Sequence, residues 1–160
     1  MEDIRDILRI PNREVLSVTK VLTGLELEKT DSNHCTEEKV LTVMIHTRGF
    51  FLANIKCEMD QDMFERIISG MYGGGMPPDD EQPLYMNEYM NIVCGRIVSK
   101  VNALTNSVSK LSIPEYFGEN DPDFGRDEQA YHILLAYRHG QGFLRFIIQF
   151  EFQQNGGEDI

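Results

Sequence analysis

The chain has 160 residues, of which 41% are hydrophobic, and it carries a formal net charge of -11 at pH 7. This length and hydrophobic content predict a folded chain with a core of its own, and we expect residues 1–160 to form a single domain. The acidic charge argues against non-specific binding to nucleic acid or to an anionic membrane surface.

Targeting signals and metal-binding patterns are weak throughout the sequence. No apolar run approaches the roughly 18 residues of a membrane span, and residues 1–6 lack the charged and apolar regions of a signal peptide. Cys35, Cys57 and Cys94 have no metal-ligand spacing and cannot all pair within one chain, which favours reduced thiols. We therefore expect a cytoplasmic protein without membrane contact.

One acidic run, from Asp121 to Asp127, has the alternating carboxylates of a calcium loop. An EF-hand places its glycine one position later than Gly125 and requires a glutamate at position twelve, where this chain has His132. The sequence therefore predicts no metal site of its own.

The first half of the chain reads as a helix followed by a hairpin. Helical spacing of valines and leucine predicts a helix over residues 12–22, followed by a polar loop over residues 28–38. Two strand-like runs, residues 40–47 and 50–57, flank Arg48 and Gly49, which predicts a hairpin with a tight turn.

A second helix and a longer third helix follow. The second begins at a cap supplied by Asp60 or Asp62 and carries four apolar residues at helical spacing: Phe64, Ile67, Ile68 and Met71. Residues 73–83 form a glycine- and proline-rich connector. Residues 84–104 contain no proline and follow Pro83, a favoured first-turn residue, so they predict one long helix.

The last part of the chain predicts mostly strands. Residues 107–113 form a short strand, and residues 115–128 form a polar loop. Residues 131–138 and 143–152 predict a second hairpin around residues 139–142. Within the second run, Phe146, Ile148, Phe150 and Phe152 alternate with Ile147, Gln149 and Glu151, as in a half-buried strand. Residues 153–160 are expected to be a frayed tail.

The long helix has two unlike faces. Its apolar stripe consists of Met86, Met90, Val93, Ile97, Val101 and Leu104. Glu88 and Asn91, three residues apart, are neighbours on the opposite face. Taken alone they are ordinary surface residues, but Gly95 lies one turn beyond Asn91 at a cost of roughly 1 kcal/mol relative to alanine. The glycine indicates close approach by a partner molecule.

This helix also resembles a known signature. Glu88-x2-Asn91-x22-Pro114, with Gly95 after the asparagine, resembles the motif of the CheC/CheX/FliY chemotaxis phosphatases. Residues 64–74 resemble the CheX helix that ends in a Met-x-Gly-Gly turn, and the similarity spans about residues 12–152. CheC-type members carry the Glu-x2-Asn signature twice, whereas this chain has it once, as CheX does. One departure is Leu84, where the family often has Asp or Ser.

The resemblance implies an α+β fold of the CheX type, in which an antiparallel-rich sheet built from hairpins packs against helices that include the long signature helix. It also implies a homodimer and a protein aspartyl-phosphate phosphatase, an acyl-phosphate hydrolase that acts on a phosphorylated CheY-like response regulator. Asn91 and Glu88 are the catalytic residues by this resemblance. No cofactor belongs to the chain itself, since Mg²⁺ is supplied by the regulator.

The remaining site residues follow from the same resemblance. Leu84, Ile92 and Gly95 are expected to contact the partner, and Pro114 is a structural part of the motif.

The chemistry of the pair agrees with these roles. A neutral amide can hold a water through one donor and one acceptor without adding charge near the phosphoryl group, which suits Asn91. A carboxylate there is repelled unless it pairs with a cation, so Glu88 is expected to bind the lysine of the regulator. Such positioning is typically worth hundreds- to thousands-fold in rate, on the order of 3–4 kcal/mol.

The sequence leaves two alternatives to the phosphatase function open. A non-catalytic adaptor would keep the fold and bind a response regulator or a flagellar partner; Leu84 favours it and the intact Glu88/Asn91 pair argues against it. A small-molecule-binding α+β module would use neither residue chemically.

Overall fold

The computed structural model of the chain describes residues 4–31, 39–123 and 125–153. Within these residues, three helices, α1 (Ile4–Thr23), α2 (Gln61–Tyr72) and α3 (Gln82–Thr105), accompany one antiparallel sheet. Its seven strands are β1 (Glu28–Lys29), β2 (Leu41–Gly49), β3 (Phe51–Met59), β4 (Ser109–Leu111), β5 (Glu115–Gly118), β6 (Tyr131–His139) and β7 (Gly142–Phe152). The predicted α+β class is confirmed.

The order of strands across the sheet is β1-β6-β7-β3-β2-β4, and β5 also pairs with β2. The two halves of the chain therefore repeat one arrangement, a helix followed by three strand positions: α1 with β1, β2 and β3, then α3 with β4/β5, β6 and β7. Each half places its first strand on the other half, since β1 pairs with β6 and β5 pairs with β2. Helices α1 and α3 consequently occupy corresponding places, and they pack against each other.

The inner face of the sheet forms the core with the helices. Alternate side chains of the central strands are buried there, as expected for a sheet with one covered face. Val43, Ile55, Phe146 and Ile148 have no measurable exposure.

The outer face carries buried polar groups that pair with one another. The Glu58 carboxylate accepts hydrogen bonds from Arg145, its partner on β7, at 2.6 Å and 2.8 Å. The Lys56 ammonium lies 2.9 Å from the Asp121 carboxylate, and the Gln149 side-chain oxygen accepts from the Asp127 backbone N–H at 3.0 Å. The acidic run therefore fastens its loop across this face of the sheet.

The cap of α2 is Asp60, one of the two predicted candidates. Its side chain accepts hydrogen bonds from the backbone N–H groups of Met63 at 2.9 Å and of Phe143 at 3.1 Å. Asp62 instead binds Arg66 one turn later, at 2.6 Å. One carboxylate thus satisfies the first turn of α2 and ties it to β7.

The first helix is longer than predicted. It begins at Ile4 and not at residue 12, and Pro11 lies inside it. The predicted boundary rested on the helical spacing of valines and leucine, and the proline inside the helix removes one backbone hydrogen bond. Ile7 and Ile10, which precede the proline, are buried in the core, and this packing outweighs the lost hydrogen bond.

Two predicted loops contain strands. In the loop predicted over residues 28–38, Glu28 and Lys29 form β1 against Arg138 and Tyr137, while residues 32–38 lie outside the described residues. In the loop predicted over residues 115–128, β5 pairs with β2, and the Tyr116 ring packs against the Phe64 ring of α2. Both strands are short, with two and four residues, so the local sequence pattern misses what tertiary pairing provides.

The two predicted hairpins differ in outcome. The β6–β7 hairpin is confirmed, with His139 paired to Gly142. The turn between β2 and β3 is wider than the predicted tight turn, because their pairing stops at His46 and Asn54 and the last residues of β2 pair with β4 instead. The predicted tail lies outside the described residues beyond Gln153.

The predicted strand over residues 107–113 is confirmed only in its centre, residues 109–111, as β4. Among the described helices, none has both the length and the apolarity that crossing a membrane would require.

Candidate functional site

Helix α3 presents Glu88 and Asn91 to solvent. The predicted apolar stripe is fully buried from Met86 to Val101, although Leu104 at its end is only partly covered. Within the described part of the chain, no side-chain hydrogen bond or ion pair occupies Glu88 or Asn91. Both polar groups are therefore available to an incoming molecule.

The exposed pair lies in a groove of about 430 Å³ between α3 and the segment that follows β4. Its lining consists of Leu84, Asn87, Glu88 and Asn91 on the helix and of Leu111, Ser112, Ile113 and Pro114 on the facing segment. The structure thus brings the glutamate, the asparagine and the proline of the predicted motif into one groove.

The facing wall is held by hydrogen bonds to β2 and α3. The backbone N–H of Ser112 donates to the carbonyl of His46 at 2.7 Å, and the His46 N–H donates to the Ser112 hydroxyl at 3.0 Å. The side chain of Asn102 donates to the carbonyl of Ser109 at 3.2 Å, so α3 also holds β4 directly. Glu88 and Asn91 therefore face a wall of fixed position.

Gly95 lies beside Leu111, which lines the groove. A Cβ atom at this position would lie 3.7 Å from the terminal methyl carbon of Leu111, an ordinary van der Waals distance. Alanine therefore fits, and the side chain of a longer residue would begin next to Leu111.

Two large apolar side chains of the groove lining are exposed. Leu84 is 64% exposed and Ile113 is 88% exposed, which is high for large apolar residues. Ile92, the third residue predicted to contact a partner, is half-buried and packs against the protein's own core. The exposed apolar surface at this site is therefore concentrated on Leu84 and Ile113.

The sequence interpretation missed Asn87 and Ile113. The side-chain oxygen of Asn87 is buried and has no hydrogen-bond partner among the described residues, although Asn87 lines the groove. A buried acceptor without a donor is costly, so a bound molecule that donates to it gains affinity. Asn87 lies one helical turn before Asn91, a spacing that could have identified it. Ile113 had no comparable signal, because its position depends on tertiary contacts.

The thiol on this helix faces away from the groove. Cys94 is fully buried, as predicted, and burial raises its pKa. Burial likewise raises the pKa of Cys57 well above its ordinary value, with the nearby Cys94 thiol adding to the effect. Neither thiol is a nucleophile for this site, because the reactive species is the thiolate.

The lining offers a small chemical repertoire: one carboxylate, two amides and one hydroxyl. This set contains no base placed beside a nucleophile, and one carboxylate with neutral amides is a poor site for a divalent cation. It can orient a water molecule and dock on a partner that carries the reactive group.

Neither a protein-family model nor a curated protein matches the chain. Solved structures are similar over nearly its whole length. Chemotaxis protein CheX from Vibrio vulnificus has a TM-score of 0.76 at 16% identity, and the similarity covers 94% of this chain and 100% of that one. A CheC-like superfamily protein from Shewanella sp. PV-4 has a TM-score of 0.74 at 17% identity, covering 91% of this chain and 97% of that one.

A third similar structure is the CheX-CheY-BeF3-Mg²⁺ complex from Borrelia burgdorferi, with a TM-score of 0.70 at 15% identity, covering 94% of this chain and 98% of that one. The fold that the resemblance of the sequence implied is confirmed by these similarities. The chain therefore has the fold of the CheX and CheC-like chemotaxis proteins.

Proposed function

We propose that the chain is a protein aspartyl-phosphate phosphatase that acts on a phosphorylated CheY-like response regulator. The observation that carries the proposal is the exposed, unengaged Glu88/Asn91 pair facing the Pro114 wall of one groove. The similar structure in which CheX is bound to CheY with BeF3 and Mg²⁺ supports a partner of this class.

The chain contributes a positioned water to the proposed reaction. The Asn91 amide N–H donates one hydrogen bond to the water oxygen and the amide oxygen accepts one from a water O–H, which holds the water in line with the aspartyl oxygen–phosphorus bond. The water oxygen forms a bond to phosphorus, the bond to the aspartyl oxygen breaks, and the carboxylate leaves with its electron pair. Inorganic phosphate is released and the water's proton passes to phosphate or solvent.

Glu88 has a docking role in this proposal. An unpaired carboxylate beside the developing negative charge of the phosphoryl group raises the activation free energy of hydrolysis. Glu88 must therefore form an ion pair with a cation of the partner, such as a lysine. Leu84 and Ile113 supply apolar contacts around this ion pair, and Asn87 supplies an acceptor.

The direct test measures loss of the acyl phosphate from a phosphorylated regulator with and without the chain. Faster loss supports the phosphatase, with phosphate released and no phosphoryl group retained on the chain. Binding to the phosphorylated regulator without acceleration contradicts it and supports the adaptor, which the exposed Leu84 and Ile113 also suit. Absence of binding to any phosphorylated regulator contradicts both.

Two Gly95 variants separate docking from folding. Gly95→Ala is expected to raise the free energy of unfolding by up to about 1 kcal/mol, because alanine favours the helix and its Cβ has room beside Leu111. Gly95→Gln is expected to keep the fold and weaken regulator binding by extending over the groove. Chemical denaturation and a binding titration measure these effects. A lower stability for the alanine variant would remove Gly95 from the docking face.

Magnesium dependence is expected to come from the partner. Calorimetry of the chain alone with Mg²⁺ should show no tight stoichiometric binding, whereas hydrolysis of the phosphorylated regulator should require Mg²⁺. Tight binding of the ion to the isolated chain would contradict this division.

We also propose a homodimer joined through β6. Strand β1 pairs only with Tyr137 and Arg138, so residues 131–135 of β6 have no strand partner on that edge within the described part of the chain. An open edge of this kind is suited to pairing with a second copy. Sedimentation equilibrium is expected to give twice the chain mass, and a monomer at tens of micromolar would contradict the proposal.

A further inference from the structure

A second groove, of about 610 Å³, lies between α1 and the β1–β6 edge. We name it the α1 groove. Its apolar lining consists of Leu8, Leu16 and Leu135, and its charged lining consists of Arg9, Arg13, Lys20 and Lys29. The chain has 15 basic residues against 26 acidic ones, so four cations in one groove form a basic island on an acidic protein.

We name the groove lined by Glu88, Asn91 and Pro114 the Asn91 groove. The α1 groove occupies the corresponding place in the first half of the fold. Starting from Ile7 in α1 and from Met86 in α3, the buried positions of the two helices follow at the same intervals as far as Thr19 and Val98. The α1 groove lies between α1 and Lys29 of β1, and the Asn91 groove lies between α3 and the segment that follows β4, so each groove lies between a helix and the first strand region of its own half.

This correspondence pairs Arg9 with Glu88 and Asn12 with Asn91. The carboxylate of the Asn91 groove is thus replaced by a guanidinium in the α1 groove, which reverses the charge offered to a partner. Asn12 is also engaged already, because its side-chain oxygen accepts a hydrogen bond from the Tyr137 hydroxyl at 2.6 Å. The asparagine of this groove therefore cannot hold a water as proposed for Asn91.

The cations of the α1 groove are mostly open to a ligand. Lys20 pairs with Glu26 at 3.0 Å, and both side chains are exposed. Within the described ranges no ion pair engages Arg9, Arg13 or Lys29. Positive groups beside apolar side chains favour a ligand that combines carboxylates with an apolar stripe.

We propose that the α1 groove is a second docking surface whose occupant is an acidic amphipathic segment of a partner protein. Its apolar side chains contact Leu8 and Leu16, and its carboxylates pair with Arg9, Arg13 and Lys29. The net charge of -11 repels extended polyanions such as nucleic acid or an anionic membrane, whereas a short segment meets only the basic island. This surface is independent of the proposed hydrolysis, since it shares no lining residue with the Asn91 groove.

The probe is a fluorescein-labelled synthetic helix of about 14 residues, with leucines on one face and glutamates on the other. It is titrated into the whole chain and followed by fluorescence anisotropy at two salt concentrations. The control probe has lysine in place of every glutamate. We expect binding of the acidic probe that weakens with salt, and at least about tenfold weaker binding of the basic probe.

Charge-matched variants locate the binding. The double variant Arg9→Glu/Arg13→Glu is expected to bind the acidic probe at least about tenfold more weakly. The control variant Lys100→Glu/Arg126→Glu makes the same change in net charge at exposed positions elsewhere and is expected to keep its affinity for the probe. Circular dichroism confirms the fold of both. The Arg9→Glu/Arg13→Glu variant should still dephosphorylate a regulator, and Asn91→Ala should still bind the probe, so either proposal can fail alone.

Four outcomes overturn the proposal. They are equal affinity for the acidic and basic probes, unchanged binding in the Arg9→Glu/Arg13→Glu variant, and binding of phosphatidylserine vesicles that depends on these arginines while the peptide does not bind. The fourth is a change in the mass of the assembly on sedimentation of the Arg9→Glu/Arg13→Glu variant, when adding the peptide does not change the mass of the wild-type assembly. That result would assign the groove to a second copy of the chain.

Discussion

Asn91→Ala is expected to slow dephosphorylation of the regulator by about two to three orders of magnitude while its affinity for the phosphorylated regulator changes little. The reason is that the side chain is exposed and has no partner within the described residues, so its removal costs the fold little and removes only the orientation of water. Ser99→Ala, on the same face of α3 but outside the groove, is the matched control and should keep the wild-type rate.

Single-turnover measurements with excess chain separate this effect from docking, because the rate at saturation then reports on hydrolysis alone. Asn91→Asp keeps the shape of the side chain but adds negative charge beside the phosphoryl group, so it should be no faster than Asn91→Ala. Glu88→Ala should weaken both affinity and rate. A wild-type rate in Asn91→Ala would show that the proposed mechanism is wrong.

Gly70→Ala is expected to lower the free energy of unfolding by about 2–3 kcal/mol. A Cβ atom on Gly70 would lie 2.5 Å from the backbone carbonyl oxygen of Thr23 and 2.7 Å from its Cβ, so the end of α1 and helix α2 would have to move apart. The gain in helix propensity, about 1 kcal/mol, offsets part of this strain and cannot remove it.

Gly95→Ala is the matched control for this variant, because it makes the same change inside a helix where the added atom has room. Urea denaturation of the two variants should therefore give shifts of opposite sign. A stabilised Gly70→Ala protein would mean that the contact between α1 and α2 is looser than the structure shows.

Elements with a strong local pattern were predictable from the sequence. The 24-residue helix α3 repeats apolar residues at helical spacing, and the β6–β7 hairpin joins two apolar-rich runs around a turn with two glycines. Asp60 could be proposed as a cap from its residue type alone. In each case the local preference and the tertiary packing favour the same structure.

Elements that depend on distant partners were not predictable. Strand β1 has two polar residues and exists because β6 offers a free edge. Helix α1 begins before Pro11 because Ile7 packs in the core. The same limit applies to the site. The positions of Glu88 and Asn91 followed from helical spacing, whereas Ile113 faces them only because Ser112 is bound to β2.

The exchange of first strands between the two halves has a consequence for cooperativity. Removing α1 and β1 would uncover an edge of β6, and removing β5 would uncover β2, so neither half can open without breaking pairings in the other. We therefore expect fragments cut at the connector between α2 and α3 to be unfolded separately and to reconstitute the native sheet when mixed. Occupation of either groove would then stabilise the whole chain against unfolding, because both helices belong to one interlocked unit.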